Sequence, residues 1–232
     1  MRIVSVVPSL SELLFELGLE SQIVGVTRFC IHPKEKTKNI KKVGGTKNLK
    51  IERIIELQPD LIIANKEENA KNDIQLLQQK CNVLLTDIFT LEDSLEVIQE
   101  IGEITSTSSQ AEVLSTKINH AFNSIKIPPI LNGKTLAYVI WQNPLMMAGT
   151  NTFINDLITK LGFTNITKEP RYPMINDEKL NVLDPDYIFL SSEPFPFKEK
   201  ERVEFQKNHP NSRVILVDGE MFSWYGSRLL LA

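Results

Sequence analysis

Short apolar runs alternate with helical patterns through the first hundred residues. Residues 3–7 form an apolar run suited to a buried strand, and leucines at positions 10, 13, 14 and 17 then follow the spacing of an amphipathic helix. The same alternation continues, with strands predicted near residues 23–27, 61–64 and 83–86 and helices near residues 51–55, 69–80 and 91–104. Strands that alternate with helices predict a parallel sheet covered by helices on both faces.

A longer helical pattern occupies the middle of the chain. Residues 107–127 contain neither Pro nor Gly, and Pro128-Pro129 ends the pattern. Apolar residues recur there every three or four positions, at Ala111, Leu114, Ile118, Ala121 and Ile125. At 1.5 Å per residue such a helix is about 30 Å long, the width of a small domain. We therefore predict one continuous helix that connects two parts of the chain.

The second half of the sequence repeats the first. The segment LQPDLII at residues 57–63 matches LDPDYIF at residues 183–189, and VLLTD at 83–87 resembles VILVD at 214–218. LGL at residues 17–19 likewise resembles LGF at residues 161–163. One such match would be weak, because Pro-Asp turns are common in α/β proteins. Three matches in the same order predict an N-terminal lobe (1–106), a connecting helix (107–128) and a C-terminal lobe (129–232).

Open parallel sheets bind ligands beyond the carboxyl ends of their strands, so two such lobes predict a ligand in a cleft between them. The candidate ligand-binding residues are Ser9, Arg28, Phe29, Cys30, Thr46 and Lys66 in the first half and Trp141, Arg171, Tyr172, Trp224 and Tyr225 in the second. Trp224 and Tyr225 are adjacent and precede a Gly, so at least one is expected to face the cleft.

Several of these candidates have a structural alternative. Ser9 suits a helix N-cap, and Trp141 suits the core as well as a cleft. Arg28 and Arg171 could bind carboxylates or phosphates, or could be ordinary surface residues. Lys66 and the acidic residues after it suit the exposed start of a helix, where the dipole favours acids.

The composition excludes some classes of function. The formal net charge is −3 and basic runs are absent, which disfavours nucleic-acid binding. Two cysteines are too few for a disulfide scaffold, and Cys30 with His32 is too small a set for a metal site. The sequence has no nucleotide-binding glycine motif and no nucleophile elbow, which weakens the case for an enzyme.

The amino terminus does not have the pattern of a secretory signal. The apolar run after Met1-Arg2 is too short for the core of a signal peptide, and no stretch is long enough for a membrane-spanning helix. The chain is thus expected to be cytoplasmic, or to be a form from which a signal is absent.

Five segments carry a family resemblance that covers nearly the whole chain. They are Ile3–Ser9 with Glu12, Val24–Arg28, Val43–Thr46, Leu57–Ile62 and Ser223–Arg228. In this order and spacing they resemble the vitamin B12/iron-complex class of substrate-binding proteins of ABC importers, which is also called the helical backbone metal receptors. Within this class the resemblance is closest to the cobalamin-binding members. This resemblance implies an α/β fold of two Rossmann-like parallel-sheet lobes joined by a single long backbone helix.

The resemblance also implies a function. The protein would be a periplasmic or cell-surface, non-catalytic and monomeric receptor with no cofactor of its own. It would carry a bulky metal chelate, with cobalamin or another corrinoid ahead of haem or a ferric siderophore, to an ABC permease. Glu67, Glu68 and Glu193 are the nearest candidates for permease docking, and Trp224 and Tyr225 for contacts with the macrocycle. A cytoplasmic α/β enzyme or cofactor-handling protein on the same scaffold is the alternative.

Overall fold

The chain forms two compact units in a computed structural model that describes residues 1–231. Unit 1 comprises Met1–Ile88, Glu92–His120 and Trp224–Leu231, and unit 2 comprises Phe89–Leu91 and Ala121–Ser223. This division differs from the predicted lobes at the carboxyl terminus, because Trp224–Leu231 packs within unit 1. The physical reason is a set of contacts between this segment and the first helix, described below.

Unit 1 is built on a parallel sheet. Its elements are β1 (Ile3–Ser5), α1 (Pro8–Glu16), β2 (Ile23–Val26), α2 (Lys34–Thr37), β3 (Lys41–Lys42), β4 (Gly44–Gly45), β5 (Asn48–Leu49), α3 (Ile51–Glu56), β6 (Leu61–Asn65), α4 (Lys71–Gln78), β7 (Val83–Thr86), α5 (Leu91–Ile104) and α6 (Ser108–Asn123). The strand order is β3-β2-β1-β6-β7, and every pair in this sheet is parallel. The segment between β2 and α3 also contains the small antiparallel pair of β4 and β5.

Unit 2 is built on a mixed sheet. Its elements are β8 (Thr135–Trp141), β9 (Leu145–Met147), α7 (Phe153–Lys160), β10 (Thr164–Asn165), β11 (Met174–Ile175), α8 (Asp177–Leu183), β12 (Tyr187–Ser191), α9 (Glu199–Asn208), β13 (Arg213–Val217) and α10 (Gly219–Ser223). Strands β8, β12 and β13 are parallel, but β9 is antiparallel to β8 and β11 to β9. The α/β class is confirmed, whereas the second sheet is not wholly parallel because β8 turns back directly into β9.

The predicted connecting helix is shorter than expected. Helix α6 spans Ser108–Asn123, and the chain passes from unit 1 to unit 2 after His120. Ala111, Leu114 and Ile118 of the predicted stripe are buried, but Ala121 and Ile125 are exposed. The apolar stripe therefore packs within unit 1 only along the first three turns of the helix.

Both faces of the central strands are covered, which explains their unbroken apolar runs. On β8, Ala137 and Val139 pack in one apolar cluster, while Tyr138 and Ile140 pack in another on the opposite face. All five residues of β6 are buried as well. The alternation of side chains along each strand thus places apolar groups on both sides of each sheet.

Ser9, which suits a helix N-cap by its residue type, does not cap α1. Val7 is the N-cap, Pro8 is the first helical residue, and no side chain caps this end. Ser9 therefore lies inside the first turn and is only 5% exposed. Proline has no backbone N–H group and has a fixed φ, so it favours this first position over the serine that follows.

The internal repeat is visible in backbone conformation and in hydrogen bonds. Gln58 and Asp184, at equivalent positions of the repeat, have φ values of 47° and 39°. The carboxylate of Asp60 accepts a hydrogen bond from the backbone N–H of Arg2 at 2.6 Å, and that of Asp186 accepts one from Thr135 at 2.8 Å. In each unit, the Pro-Asp turn thus anchors the beginning of the neighbouring strand, β1 or β8.

Asp186 should contribute to stability in a pH-dependent way. Hydrogen bonds from Lys134 Nζ and Thr135 lower the pKa of this carboxyl from 3.8 to about 2. Because the folded-state pKa lies below the unfolded value, the stabilisation is complete above pH 4 or so and is lost as the pH falls through about 2. A shift of this size corresponds to about 2 kcal/mol, which solvent screening reduces to about 1 kcal/mol at this partly exposed site.

We therefore expect Asp186→Asn to lower the free energy of unfolding by about 1 kcal/mol at pH 6 and by much less at pH 2. Urea denaturation of both proteins between pH 2 and pH 7 measures this difference. A difference that stays constant over this range would contradict the assignment.

Candidate functional site

Two buried asparagines join the loops at the carboxyl edge of the unit 1 sheet. Asn69 Oδ1 accepts a hydrogen bond from the N–H of Asn65 at 2.9 Å, and its Nδ2 donates to the carbonyl oxygens of Val6 at 3.1 Å and Thr46 at 3.0 Å. Asn65 Nδ2 donates to Thr86 Oγ1 at 3.0 Å. The two side chains thereby fix the carboxyl ends of β1, β6 and β7 and the loop that contains Thr46.

The predicted docking residues Glu67 and Glu68 belong to the same edge. Their backbone N–H groups donate to Asn65 Oδ1 at 2.8 Å and 3.2 Å, and both residues are half-buried. Lys47 Nζ donates to the backbone carbonyl of Glu67. The backbone that carries these two acids is therefore held in place by the asparagine network.

Arg28 and Phe29 present a cation and an aromatic ring to solvent directly after β2. Both residues are exposed, and Phe29 is 48% accessible. The Arg28 guanidinium lies 4.9 Å from the centroid of the Phe29 ring. A Cβ at Gly45 would lie 3.2 Å from Phe29 and 3.3 Å from Arg28, so both side chains lie closely over this glycine. Because Gly45 has no Cβ, both side chains can pack directly over its backbone.

Lys66, another predicted ligand residue, is exposed at the end of β6. Its ammonium group pairs with Asp87 at 2.7 Å, and Asp87 follows β7, the neighbouring strand. Thr46 is half-buried, and its backbone carbonyl accepts from Asn69. The structure therefore places Arg28, Phe29, Thr46 and Lys66 in loops at one edge of the unit 1 sheet.

The side chain of Cys30 is not accessible to solvent. It is 1% exposed, and its Sγ lies 3.0 Å from Ser11 Oγ and 3.1 Å from Thr27 Oγ1. Burial raises the pKa of the thiol, which keeps it neutral. Ser9 is buried too, so both side chains pack within unit 1, and their role as ligand contacts stays a prediction.

Trp224 and Tyr225 are also buried, at 8% and 5% exposure, and they lie in unit 1 rather than in the C-terminal lobe. The Trp224 ring lies 5.6 Å from His32 in an edge-to-face arrangement and 4.9 Å from the guanidinium of Arg228. The C-terminal segment packs against α1, so little of either aromatic side chain is accessible to solvent, and their role as ligand contacts stays a prediction.

A buried ion pair joins this C-terminal segment to α1. The Nε and Nη2 atoms of Arg228 donate to the two carboxylate oxygens of Glu12, each at 2.8 Å. The two side chains are 7% and 16% exposed. Such a bidentate arrangement gives a strong and directional contact. It explains why Trp224–Leu231 belongs to unit 1.

In unit 2, Arg171 lies among aromatic rings. Its guanidinium is 5.3 Å from the centroid of Phe89 and 6.0 Å from that of Tyr172, and Nη1 donates to the carbonyl of Asn151 at 3.1 Å. The backbone of Arg171 has a φ of 65°, and it forms two hydrogen bonds with the chain at Gly149 and Thr150. Arg171 and Tyr172 are half-buried, so each presents part of its side chain to solvent.

Trp141 and Glu193 lie at the carboxyl ends of β8 and β12. Trp141 is 38% exposed, and its ring contacts Phe195 edge to face at a centroid distance of 5.7 Å. The carboxylate of Glu193 accepts a hydrogen bond from Ser223 Oγ at 2.6 Å. Trp141 therefore belongs to the surface of unit 2 and not to its core.

Sequence reasoning missed the residues that organise these loops. The sequence pattern places Asn69 only at the start of a helix and gives Asn65 no role, and Glu12 and Arg228 enter only as parts of the resemblance. Within residues 1–231, no group of three or more His, Cys, Asp or Glu side chains could hold a metal ion. No helix of the described chain has the length and apolar character needed to cross a membrane.

Comparisons with known proteins agree with this architecture. A relative from Bacillus subtilis, an uncharacterized ABC transporter substrate-binding lipoprotein, is 28% identical over 99% of this chain and 76% of its own length. A vitamin B12-binding protein of Pectobacterium carotovorum is 24% identical over 100% of this chain and 85% of its own.

A solved structure from Staphylococcus epidermidis, described as a possible iron-binding (periplasmic solute-binding) protein, superposes with a TM-score of 0.82 and 25% identity. It covers 98% of this chain and 93% of its own. The family model for periplasmic binding proteins matches residues 3–212. This match covers most of the chain, which therefore belongs to the periplasmic binding protein family.

Proposed function

We propose that this protein binds a bulky metal chelate as the substrate-binding component of an ABC importer. Cobalamin or another corrinoid is the first candidate, ahead of haem or a ferric siderophore. The proposal is supported by membership in the periplasmic binding protein family and by a full-length relative named as a vitamin B12-binding protein. On this proposal the chelate is cargo, and the protein has no cofactor of its own.

The observation that carries the proposal is the presence of accessible aromatic and guanidinium groups beside the sheet of each unit. Unit 1 presents Phe29 beside Arg28, and unit 2 presents Trp141 and, in another loop, Tyr172 beside Arg171. Flat aromatic faces suit a macrocycle, and guanidinium groups suit the carbonyl or carboxylate groups at its edge. Aromatic residues and Arg are enriched in binding surfaces relative to the rest of a protein surface.

The same proposal gives the acidic residues a role. Glu67 and Glu68 of unit 1 and Glu193 of unit 2 would contact the permease, each from a loop held by side-chain hydrogen bonds. The protein would act as a monomer outside the cytoplasmic membrane. The comparisons do not support the alternative of a cytoplasmic enzyme.

Spectroscopic titration tests the proposal directly, since corrinoids and haem absorb visible light. We expect stoichiometric binding of cyanocobalamin, haemin or a ferric siderophore, and loss of about 1–3 kcal/mol on replacing Phe29 or Trp141 by Ala. The dissociation constant should rise by roughly ten- to a hundredfold. Trp224 and Tyr225 are poor test positions, because replacing a buried residue would also reduce stability.

Val182→Ala is the matched control, because Val182 is 86% exposed on α8 and is not a predicted ligand residue. It should leave the dissociation constant unchanged. The proposal is refuted if none of the three chelates binds, or if a chelate binds with the same affinity to the Phe29→Ala and Trp141→Ala variants as to the unmodified protein.

A further inference from the structure

A pocket lies entirely within unit 2, between the start of α8, the second half of α9 and the turn from β8 to β9. Its volume is about 330 Å³, at the lower end of the range for small-molecule sites. The apolar side chains of Leu145 and Phe205, 8% and 5% exposed, form part of its lining. We call this cavity the α8–α9 pocket.

His209 gives the α8–α9 pocket a buried polar group. It is the C-cap of α9 and is 4% exposed, and its ring lies 5.9 Å from that of Phe205. Its backbone is fixed by hydrogen bonds with Phe205, Gln206 and Ser212. Within residues 1–231, no side chain or backbone group hydrogen-bonds to its ring nitrogens. These nitrogens are not fully enclosed, so a ligand in the pocket can form a hydrogen bond with the ring.

The charges around the α8–α9 pocket all favour a cation. Asp177 and Glu204 line it, and neither Lys nor Arg does. Helix α9 ends at the pocket, so its carbonyl end adds a partial negative charge. Helix α8 begins there, but Asn176 caps it and its first turn already contains Asp177 and Glu178. Burial lowers the pKa of His209, which favours a neutral ring that can accept a hydrogen bond.

We infer that the α8–α9 pocket binds a small organic ammonium ion with an apolar body. The ammonium group donates to the imidazole of His209 and lies near the carboxylates of Asp177 and Glu204, while the apolar body packs on Phe205 and Leu145. A metal ion is a poor alternative, because no group of metal-ligating side chains in the described chain is suited to one. This site is independent of the proposed chelate site.

Proton NMR with benzylamine as the probe tests this inference. The chain has three histidines, so the imidazole C–H signals are few, and His209→Gln identifies the one from His209. At pH 7.5, we expect benzylamine to shift the His209 signal with a dissociation constant on the order of 1 mM and to leave the signals of His32 and His120 in place. Benzyl alcohol, which has nearly the same shape but no charge, should bind at least tenfold more weakly.

Exposed carboxylates provide matched variants. Asp177→Asn combined with Glu204→Gln should weaken benzylamine binding about tenfold, Glu204→Gln alone about threefold, and Glu178→Gln less than twofold. Glu178 is adjacent in sequence but does not line the pocket. Chelate binding should be unchanged in all three.

Three results would each overturn the inference. They are the absence of any His209 shift at 50 mM benzylamine, equal binding of benzyl alcohol, and an unchanged dissociation constant in the Glu204→Gln variant. Because chelate titrations use the same proteins, failure here and failure of the proposed transport function are distinguishable.

Discussion

Replacing Glu12 by Gln should lower the free energy of unfolding by about 3 kcal/mol. The substitution preserves the shape of the side chain but leaves the guanidinium of Arg228, 7% exposed, without its charged partner. Removing the charge of one partner of a buried ion pair is costly, because the other partner keeps its charge in a desolvated position. Urea denaturation measures the loss. The fluorescence of Trp224 should report detachment of the C-terminal segment, since its ring lies 4.9 Å from Arg228.

A double variant separates the charge effect from a packing effect. Glu12→Leu with Arg228→Met replaces both charges by apolar groups and should recover most of the lost stability, to within about 1 kcal/mol of the unmodified protein. Glu16→Gln, on the exposed side of the same helix, should change stability by less than about 0.5 kcal/mol. If Glu12→Gln costs no more than Glu16→Gln, the pair does not anchor the segment.

Asn69→Leu should cost about 4 kcal/mol. Leucine has a similar volume but leaves three backbone groups without their partner, namely the N–H of Asn65 and the carbonyls of Val6 and Thr46. Each buried group that loses its hydrogen bond costs about 1–3 kcal/mol. Hydrogen exchange at the amide of Asn65 should accelerate, and chelate binding should weaken because the loops at this edge lose their common support.

Two further variants test the hydrogen bonds of Asn69. Asn69→Asp keeps the acceptor for Asn65 but sets a carboxylate oxygen against the carbonyls of Val6 and Thr46, so at pH 7 it should cost at least as much as Asn69→Leu. Asn72→Leu, at an exposed position of α4, should change stability by less than about 0.5 kcal/mol. Equal effects of Asn69→Leu and Asn72→Leu would show that the network contributes little.

The environment of some predicted site residues could be inferred from the sequence and that of others could not, for a physical reason. Arg28 and Phe29 could be placed after a strand because β2 is a clear apolar run, and the structure presents both to solvent. Trp224 and Tyr225 directly follow helix α10, and both are buried. Their environment depends on Glu12, which is 216 residues from Arg228 in the chain. No local pattern contains that contact.

The sequence by itself determined the α/β class, the order of the main strands and helices in the first half of the chain, and the internal repeat, because each depends on periodicity or on turn chemistry over a few residues. Tertiary structure alone decided the rest. Strands β9 and β11 are three and two residues long, too short for a period to reveal their antiparallel pairing. Asn65 and Asn69 are of a residue type that is common in loops, so the sequence does not single them out. They form a network only because three strand ends meet around them in the folded chain. Hydrogen bonds and ion pairs between distant segments require both partners in space, and a linear pattern specifies only one of them at a time.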